Sequence, residues 1–380
     1  MPRYLLLHAS VGSGHRSAAN ALAEALDRLP DSEVRVEDTL DYASPIFSAA
    51  YSRSYLELSQ RAPLIWQMFY ESMDTTDSDW APLRDRMRGL VAELAITKLK
   101  DLIRDYAPAA IICTHFLPAE LLMRLKLDGS MRVPTYTVIT DHAVHSQWIT
   151  PGVDGYFVAS EFPRKLMIER DVPAAIIHAT GIPVNPAVTA PKDPAEMRRK
   201  HNLPASGAVL TLFGGGLLSQ RVRRVVEGIA ALGQPGLLLV VAGRNAELPA
   251  ALAGLESGPH MQLRVLEHID YVDDLVVASD LVITKAGGLI VSEVLARGAP
   301  LLVIDPIPGQ EEWNADFLVS SGAALQLRLV EWAPWTIEQL LLAPERLAAL
   351  RAHAAAAGRP NAARDIAELI ARALSPVRLA

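Results

Sequence analysis

Strand-like runs rich in apolar residues alternate along the chain with segments whose apolar residues recur at helical spacing. Each run has about the length of one buried strand. The runs lie at 5–7, 110–113, 135–140 and 155–160 in the first half of the chain, and at 208–215, 236–243, 280–287 and 300–306 in the second. Uninterrupted apolar strands between helices predict parallel sheets with both faces covered. We therefore expect an α/β fold.

A proline-rich segment divides this pattern into two halves. Four prolines fall within 181–194, which favours a linker over a helix or a strand. A chain of 380 residues is long enough for two domains of about 150–200 residues each. We expect an N-terminal domain at 1–180, a linker at 181–194 and a C-terminal domain at 195–360, with ligands at the carboxyl ends of the strands.

The segment 41–90 departs from the alternation of strands and helices. It concentrates aromatic side chains, Trp66 and Phe69 among them, and interleaves them with arginines. Aromatic and basic residues together are typical of helices that lie at the lipid headgroups of a membrane. The alternative is a helical insertion that packs its aromatic side chains into the first domain. The pattern alone does not separate the two.

The net charge and the cysteine content narrow the choice of function. A formal net charge of -7 argues against a general nucleic-acid-binding protein. Cys113 is the only cysteine, so no internal disulfide is possible and a reducing compartment is expected. No run reaches the roughly 18 apolar residues of a spanning helix, and the first apolar run is too short for a signal peptide. We expect a soluble protein, or one attached only to a membrane surface.

A glycine turn follows the first predicted strand. Its sequence, GSGHRS at 12–17, lacks the third glycine of a dinucleotide-binding turn. Glu37 and Asp38 lie where a ribose-binding acid would be expected, so a nicotinamide-dependent oxidoreductase is one interpretation. The other is that the turn presents His15 at a helix start. An imidazole accepts protons near neutral pH, and the helix dipole there disfavours its charged form.

Two further glycine turns lie in the second half. The glycines at 214–216 and the segment TKAGG at 284–288 each follow a predicted strand and open a helix, where N–H groups can hold a phosphate. Glu293 follows one turn later, and a carboxylate there can accept hydrogen bonds from a ribose diol. The start of the next predicted helix carries three polar residues that are well placed to bind sugar hydroxyls: Gln310, Glu311 and Asn314.

These motifs together resemble a known family. The block "TKAGG…SE…P…PGQEEWN" resembles the donor-sugar signature of glycosyltransferase family 28, and within it the chain is similar to the monogalactosyldiacylglycerol synthases and processive diacylglycerol glucosyltransferases. "GSGHRSAANALAEAL", the segment 140–161 and "TGIPVNPAV" at 180–188 resemble motifs in the first half of those proteins. The resemblance covers nearly the whole chain.

The resemblance implies the GT-B fold, in which two Rossmann-like domains have parallel sheets that face each other across a cleft. The first domain would bind the acceptor and the second a UDP-sugar, and a final helix within 361–380 would pack back on the first domain. The implied reaction is inverting transfer of glucose or galactose from a UDP-sugar to a lipid, diacylglycerol, which gives a β-glycolipid without a metal or other cofactor. The implied location is peripheral, on the anionic inner face of the cell membrane.

The family's functional residues map onto this sequence. His15 matches the candidate general base, and Asp141 is placed to share or replace it. The implied acceptor-binding residues are Gly14, His115, His145, Trp66 and Phe69. The implied donor-binding residues are Gly214, Gly215, Gly216, Arg244, Ile269, Thr284, Lys285, Gly287, Gly288, Glu293, Gln310, Glu311 and Asn314. Glu293 would bind the ribose, Gln310 and Glu311 the hexose, and main-chain groups at Ile269 the uracil.

Several alternatives stay open. Ala286 and Ile290 depart from the bacterial glucosyltransferases, so the donor hexose is undecided. A UDP-N-acetylglucosamine-dependent transferase, a UDP-sugar 2-epimerase and a non-catalytic sugar-nucleotide sensor fit the same fold. His115, His142 and His145 are a weak zinc candidate, because no carboxylate-rich or cysteine-rich set accompanies them; His145 is better interpreted as orienting its own loop.

Overall fold

The computed structural model describes residues 1–43, 74 and 96–375. The chain forms two compact units. Unit 1 contains Met1–Ala187, Pro308–Gln310 and Arg359–Ala380, and unit 2 contains Val188–Ile307 and Glu311–Gly358. The division between Ala187 and Val188 falls inside the proline-rich segment 181–194.

The described elements alternate strands with helices, as the apolar runs predict. The strands are β1 Arg3–His8, β2 Glu33–Asp38, β3 Ala110–Cys113, β4 Thr135–Val138, β5 Gly155–Val158, β6 Ile177–Ala179, β7 Ala208–Phe213, β8 Gly236–Val241, β9 Met261–Leu266, β10 Leu281–Thr284, β11 Leu301–Ile304 and β12 Ala324–Leu327. The helices are α1 Gly14–Asp27, α2 Phe116–Leu127, α3 Glu161–Glu169, α4 Pro194–Lys200, α5 Ser219–Ala230, α6 Leu248–Leu252, α7 Val272–Ala278, α8 Gly288–Ala296, α9 Gln310–Ser320, α10 Ala333–Leu341, α11 Pro344–Ala357 and α12 Ala362–Leu374, and residues 96–106 are helical as well.

Each unit contains one six-stranded parallel sheet. The strand order is β2-β1-β3-β4-β5-β6 in unit 1 and β12-β11-β10-β7-β8-β9 in unit 2. Every neighbouring pair is parallel, which confirms the prediction of parallel sheets. The eight predicted strands are all present, and the four that the apolar pattern missed, β2, β6, β9 and β12, are the edges of the two sheets.

The sheet of unit 1 is buried on both faces. Leu5 and Leu7 of β1 pack on one face with residues from the helical segment 96–106 and from α2. Tyr4 and Leu6 point to the opposite face, because successive strand side chains alternate, and pack there against α1 and α12. Helix α12 therefore belongs to the core of unit 1.

The sheet of unit 2 is covered in the same way. Val209 of β7 belongs to an apolar cluster that includes residues of α7 and α8, and Leu210 to one that includes residues of α5 and α10. Burial of each such side chain contributes about 1.5–3 kcal/mol. In both sheets the loops that follow the strands lie at one edge, because parallel strands share their carboxyl ends. None of the described helices has the length and hydropathy needed to cross a bilayer.

Candidate active site

The predicted base, His15, is held by oxygens at the carboxyl edge of the sheet in unit 1. Gly12, with a φ of 106°, turns the chain after β1, and His15 is the second residue of α1. Its Nδ1 lies 2.9 Å from the main-chain oxygen of Thr114 and 2.9 Å from Oγ1 of Thr140. Because a carbonyl oxygen only accepts, Nδ1 carries the ring hydrogen and Nε2 keeps its lone pair.

The surroundings of His15 keep its imidazole neutral. The ring of His115 meets it edge to face, with 4.5 Å between centroids, and the ring of Trp148 lies 6.1 Å away. Burial lowers the pKa of His15 to about 4; the hydrogen bond to Thr114 opposes this shift and His8 adds to it. At physiological pH, Nε2 is therefore an unprotonated acceptor.

His115 has the opposite tautomer. It precedes α2, and its Nδ1 accepts the N–H of Leu117 at 3.0 Å, so the ring hydrogen is on Nε2. The side chain is fully enclosed (3% exposed), and burial, with contributions from His15 and His8, holds its pKa well below the usual range. The structure thus brings together two neutral imidazoles, one a proton acceptor and one an N–H donor at Nε2.

The loop after β4 carries Asp141 and His145. Asp141 is half-buried and directly follows Thr140. His145 is buried, and its Nδ1 accepts the N–H of Gln147 at 3.1 Å. This contact is consistent with a role in shaping the loop.

Asp74 also contacts this loop, which the sequence did not predict. Its carboxylate pairs with Arg170 through two hydrogen bonds of 3.0 and 2.9 Å and accepts the N–H of Ser146 at 2.7 Å. It lies 3.9 Å from Nε2 of His145. These bonds, with His145 beside the carboxylate, outweigh the effect of burial and lower the pKa of Asp74.

Some predicted residues fall outside the described part of the chain. Trp66, Phe69 and nearly all of the segment 41–90 belong to this category. Within residues 1–43, 74 and 96–375, no group of three or more His, Cys, Asp or Glu side chains is arranged to hold a metal ion.

In unit 2, the glycine turn after β7 is closely packed. A Cβ on Gly214 would lie 2.3 Å from Cδ2 of Leu248, and Gly216 has a φ of 81°. Asn245, in the loop after β8, donates to the main-chain oxygens of Leu217 at 2.9 Å and Gly214 at 3.3 Å. Asn245 was not predicted from the sequence, and it fixes the shape of the turn at 214–217. Gly215 lies between Gly214 and Leu217, whose main-chain oxygens are both bonded to Asn245.

The second glycine turn of unit 2 is braced by charge. Nζ of Lys285 lies 2.5 Å from Oε1 of Glu311, and the N–H of Ile307 donates to Oε2 at 2.9 Å. The amide of Asn314 donates to the main-chain oxygen of Ala286 at 3.0 Å. Glu311 and Asn314 are almost fully buried, at 3% and 0% exposure. Their side chains contact the protein, and they hold in place the loop that carries Lys285.

The remaining donor-binding candidates lie in unit 2, except Gln310, which belongs to unit 1. Thr284 ends β10, Gly287 caps α8, Gly288 begins it, and Gln310 begins α9. Arg244 is exposed in the loop after β8, and Ile269 packs, partly buried, on the core.

Glu293 lies in the second turn of α8, and none of the described residues hydrogen bonds to its carboxylate. Burial, with a smaller contribution from Asp273, raises its pKa to about 7. The half-buried carboxyl group is therefore close to its titration midpoint at neutral pH.

Solved structures share the fold of this chain over nearly its whole length. The MurG protein of Acinetobacter baumannii superposes with a TM-score of 0.64 at 17% identity, over 98% of this chain and 100% of that one. The UDP-GlcNAc 2-epimerase of Neisseria meningitidis superposes with a TM-score of 0.63 at 13% identity, over 97% and 100%. Similarities at such low identity concern the fold, and they confirm the predicted GT-B class.

Sequence comparison identifies the family. The family described as monogalactosyldiacylglycerol synthase matches residues 15–184, and the C-terminal domain of glycosyltransferase family 28 matches residues 209–370. The processive diacylglycerol beta-glucosyltransferase of Bacillus pumilus is 27% identical over 92% of this chain and 89% of its own length. The protein of the same name from Bacillus subtilis is 29% identical over 85% and 82%. The chain therefore belongs to glycosyltransferase family 28, in the group of monogalactosyldiacylglycerol synthases and processive diacylglycerol glucosyltransferases.

Proposed function

We propose that this chain is an inverting glycosyltransferase that moves a hexose, glucose or galactose, from a UDP-sugar to diacylglycerol and forms a β-glycolipid. Family membership supports the reaction class, and the relatives from Bacillus are named for β-glucosyl transfer to diacylglycerol. The observation that carries the proposal is the state of His15: Nδ1 donates to a carbonyl oxygen, and Nε2 is left as a neutral proton acceptor.

His15 acts as the general base. The free hydroxyl of the acceptor gives its proton to Nε2 of His15 while its oxygen attacks the anomeric carbon of the sugar. The bond from that carbon to the diphosphate oxygen breaks, and UDP departs with the bonding electron pair. Attack from the face opposite to the diphosphate converts an α-linked donor into a β-glycoside. The imidazolium then returns its proton to solvent. Asp141, next to Thr140 in the chain, is the alternative base.

Unit 2 supplies the donor site. The main-chain N–H groups of the turns at 214–216 and 285–288, the N-terminus of α8 and Lys285 stabilise the diphosphate and its departure, in place of a metal ion. Glu293 accepts hydrogen bonds from the ribose hydroxyls. Glu311 and Asn314 support this site by holding Lys285 and its loop.

The acceptor is a membrane lipid, so we place the enzyme at the anionic cytoplasmic face of the cell membrane. The aromatic and basic composition of the segment 41–90 supports contact with lipid headgroups. Trp66 and Phe69 are the side chains proposed to enter the headgroup layer.

The test is transfer of radiolabel from UDP-glucose, UDP-galactose and UDP-N-acetylglucosamine to diacylglycerol in vesicles. Anionic and zwitterionic vesicles are compared, and His15→Ala is assayed beside His260→Ala, which removes an exposed histidine. We expect label in lipid from one hexose donor, more on anionic vesicles, and loss of labelling only in His15→Ala.

Other outcomes separate the alternatives. Labelling from UDP-N-acetylglucosamine alone would identify the acetylamino-sugar transferase. Isomerised nucleotide sugar without a lipid product would identify an epimerase. Binding of UDP without turnover, unaffected by His15→Ala, would identify a sensor. Hydride transfer to a nicotinamide cofactor would identify an oxidoreductase.

A further inference from the structure

Two oxygens share one hydrogen of His15. The main-chain oxygen of Thr114 and Oγ1 of Thr140 both lie 2.9 Å from Nδ1. The carbonyl requires the hydrogen on Nδ1, and Thr140 therefore accepts the same N–H in a three-centre hydrogen bond. Among the described residues, Nδ1 of His15 is the one partner of the Thr140 hydroxyl. This hydroxyl has no other evident structural role.

Three segments of the fold fix these atoms. Thr114 follows β3, its N–H donates to the main-chain oxygen of Leu7 at 3.0 Å, and its Oγ1 donates to the main-chain oxygen of His15 at 2.9 Å. Thr140 follows β4. Thr114 and Thr140 are 0% and 4% exposed, so water does not compete readily for either oxygen. The ring of His15 is held between the ends of β3 and β4 at the first turn of α1.

The titratable groups around His15 do not provide an ion pair. His8 at the end of β1 and His115 at the start of α2 are both buried, and burial lowers the pKa of each. No carboxylate is bonded to Nδ1 among the described residues. The carbonyl of Thr114 therefore sets the tautomer of His15, and both oxygens that contact Nδ1 are uncharged.

We propose that Thr140 is a positioning residue for proton transfer by His15. The carbonyl of Thr114 keeps the hydrogen on Nδ1 and the lone pair on Nε2, and the hydroxyl of Thr140 is a second acceptor for the same N–H. When Nε2 accepts a proton, the same two oxygens bind a positively charged ring, and hydrogen bonds to a charged group are about twice as strong. Thr140 thus favours the protonated intermediate over the resting state. This inference rests on the proposed role of His15 as base.

The kinetic test compares Thr140→Val, Thr140→Ser and Thr137→Val. Valine keeps the shape of threonine without the hydroxyl, and serine keeps the hydroxyl. Thr137 is the matched control, because it is fully buried in β4 and its Oγ1 has no described partner. We expect Thr140→Val to lower kcat about tenfold, the effect of one hydrogen bond to a charged group, with KM for UDP-glucose unchanged. The acid limb of the pH profile of kcat should move to lower pH in Thr140→Val, since the protonated ring of His15 loses one hydrogen-bond acceptor.

Thr140→Ser should restore kcat to within about twofold, and Thr137→Val should match the wild type. The inference is overturned if Thr140→Val has the kcat of the wild type, if Thr137→Val loses as much, or if the acid limb stays fixed while kcat falls.

A spectroscopic test does not require turnover. Nitrogen-15 NMR of histidine-labelled protein, with the His15 signals assigned by their loss in His15→Gln, reports the tautomer directly. We expect the Nδ1–H form in the wild type and also in Thr140→Val, where the carbonyl of Thr114 remains, with the Nδ1 resonance shifted in the variant because this N–H has lost one acceptor. An unshifted resonance would overturn the inference. An Nε2–H form in the wild type would overturn the inference. Because no substrate is involved, a failure of the proposed glycosyl transfer would leave this result interpretable.

Discussion

The candidate sites of the two units differ in the charge of the side chains that form them. In unit 1, His15 and His115 are neutral and are held by carbonyl, hydroxyl and main-chain N–H groups. In unit 2, the turn at 285–288 carries the ion pair of Lys285 with Glu311, and glycines occupy the tight positions. A site that accepts a proton needs an uncharged base, whereas a site for a diphosphate needs positive charge and free N–H groups. The chemistry proposed for each unit explains the difference.

Burial disfavours the charged form of one titratable side chain in each site, and it lowers the pKa of the histidine but raises the pKa of the glutamate. Removal from water disfavours the charged form of any group. It lowers the pKa of His15 to about 4, so the imidazole is ready to accept a proton at neutral pH. It raises the pKa of Glu293 to about 7, so this carboxyl group is only partly ready to accept hydrogen bonds from a ribose. The two sites should therefore respond differently to pH and to mutation.

The largest expected effect is the loss of the base in unit 1. Replacing His15 with alanine should lower kcat about 10³-fold, within the range for general base catalysis. Affinity for UDP, measured by calorimetry, should stay within about twofold because the donor site proposed in unit 2 does not include His15. A His15→Ala variant that keeps its kcat would transfer the role of base to Asp141, and Asp141→Asn would then show the large loss.

Removal of the positive charge of Lys285 in unit 2 should have the next largest effect. Lys285→Met keeps the length of the side chain and should weaken UDP binding about tenfold, as expected for a charge-assisted contact. It also leaves Glu311 buried without its cation, so the melting temperature should fall.

The double variant Lys285→Met with Glu311→Gln separates these two effects. Stability should return, because the unpaired carboxylate is gone, while UDP affinity should stay low. Recovery of affinity in the double variant would mean that Lys285 serves only as the partner of Glu311.

The pH dependence of donor binding should further distinguish the site in unit 2 from the site in unit 1. With a pKa of about 7, Glu293 is mostly protonated at pH 6 and mostly ionised at pH 8. UDP-glucose affinity should rise about tenfold between these values if only the ionised carboxylate accepts from the ribose, and binding should release protons. Calorimetry in two buffers of different ionisation enthalpy measures both quantities. Glu293→Gln should abolish the pH dependence.

The same carboxyl group should affect stability with a defined sign. Its pKa in the folded protein is raised above the value of about 4.5 expected for an exposed glutamate, so the folded state binds the proton more tightly. Stability therefore falls as pH rises from 4.5 to 7, and the penalty persists above pH 7. Glu293→Gln should raise the melting temperature at pH 8 and have little effect at pH 4. An equal shift at both values would contradict this pKa.

Sequence patterns predicted the interior of both sheets better than their edges. The interior strands are buried on both faces and consist of continuous apolar runs such as AIIC at 110–113. The edge strands are partly exposed and mix polar with apolar residues, as in EVRVED of β2 and MQLRVL of β9. An edge strand pairs on one side only and needs fewer apolar residues. The pattern of continuous apolar runs is therefore weakest in the edge strands.

The candidate site was predictable where chemistry is local in sequence. His15, Glu293 and the glycine turns are recognisable because residue type and spacing suffice. The partners of these residues were not, because Thr114 and Thr140 lie 99 and 125 positions from His15 and threonine is common. Asn245 reaches the turn at 214–217 from the next strand's loop. Contacts of this kind depend on strand order, which the apolar pattern does not specify.

The smallest expected effect comes from the backbone of unit 2. Gly216 has a φ of 81°, and a Cβ there would lie 3.1 Å from Cε of Lys285, whereas Gly254 has a φ of 79° and open space around it. Alanine at either position should cost about 1 kcal/mol of stability, because both backbones are left-handed. Only Gly216→Ala should also displace Lys285 and weaken UDP binding, by about twofold to threefold, a loss of under 1 kcal/mol. Equal UDP affinities in the two variants would show that Lys285 adjusts freely, and the close packing of glycine against lysine would then have no role in donor binding.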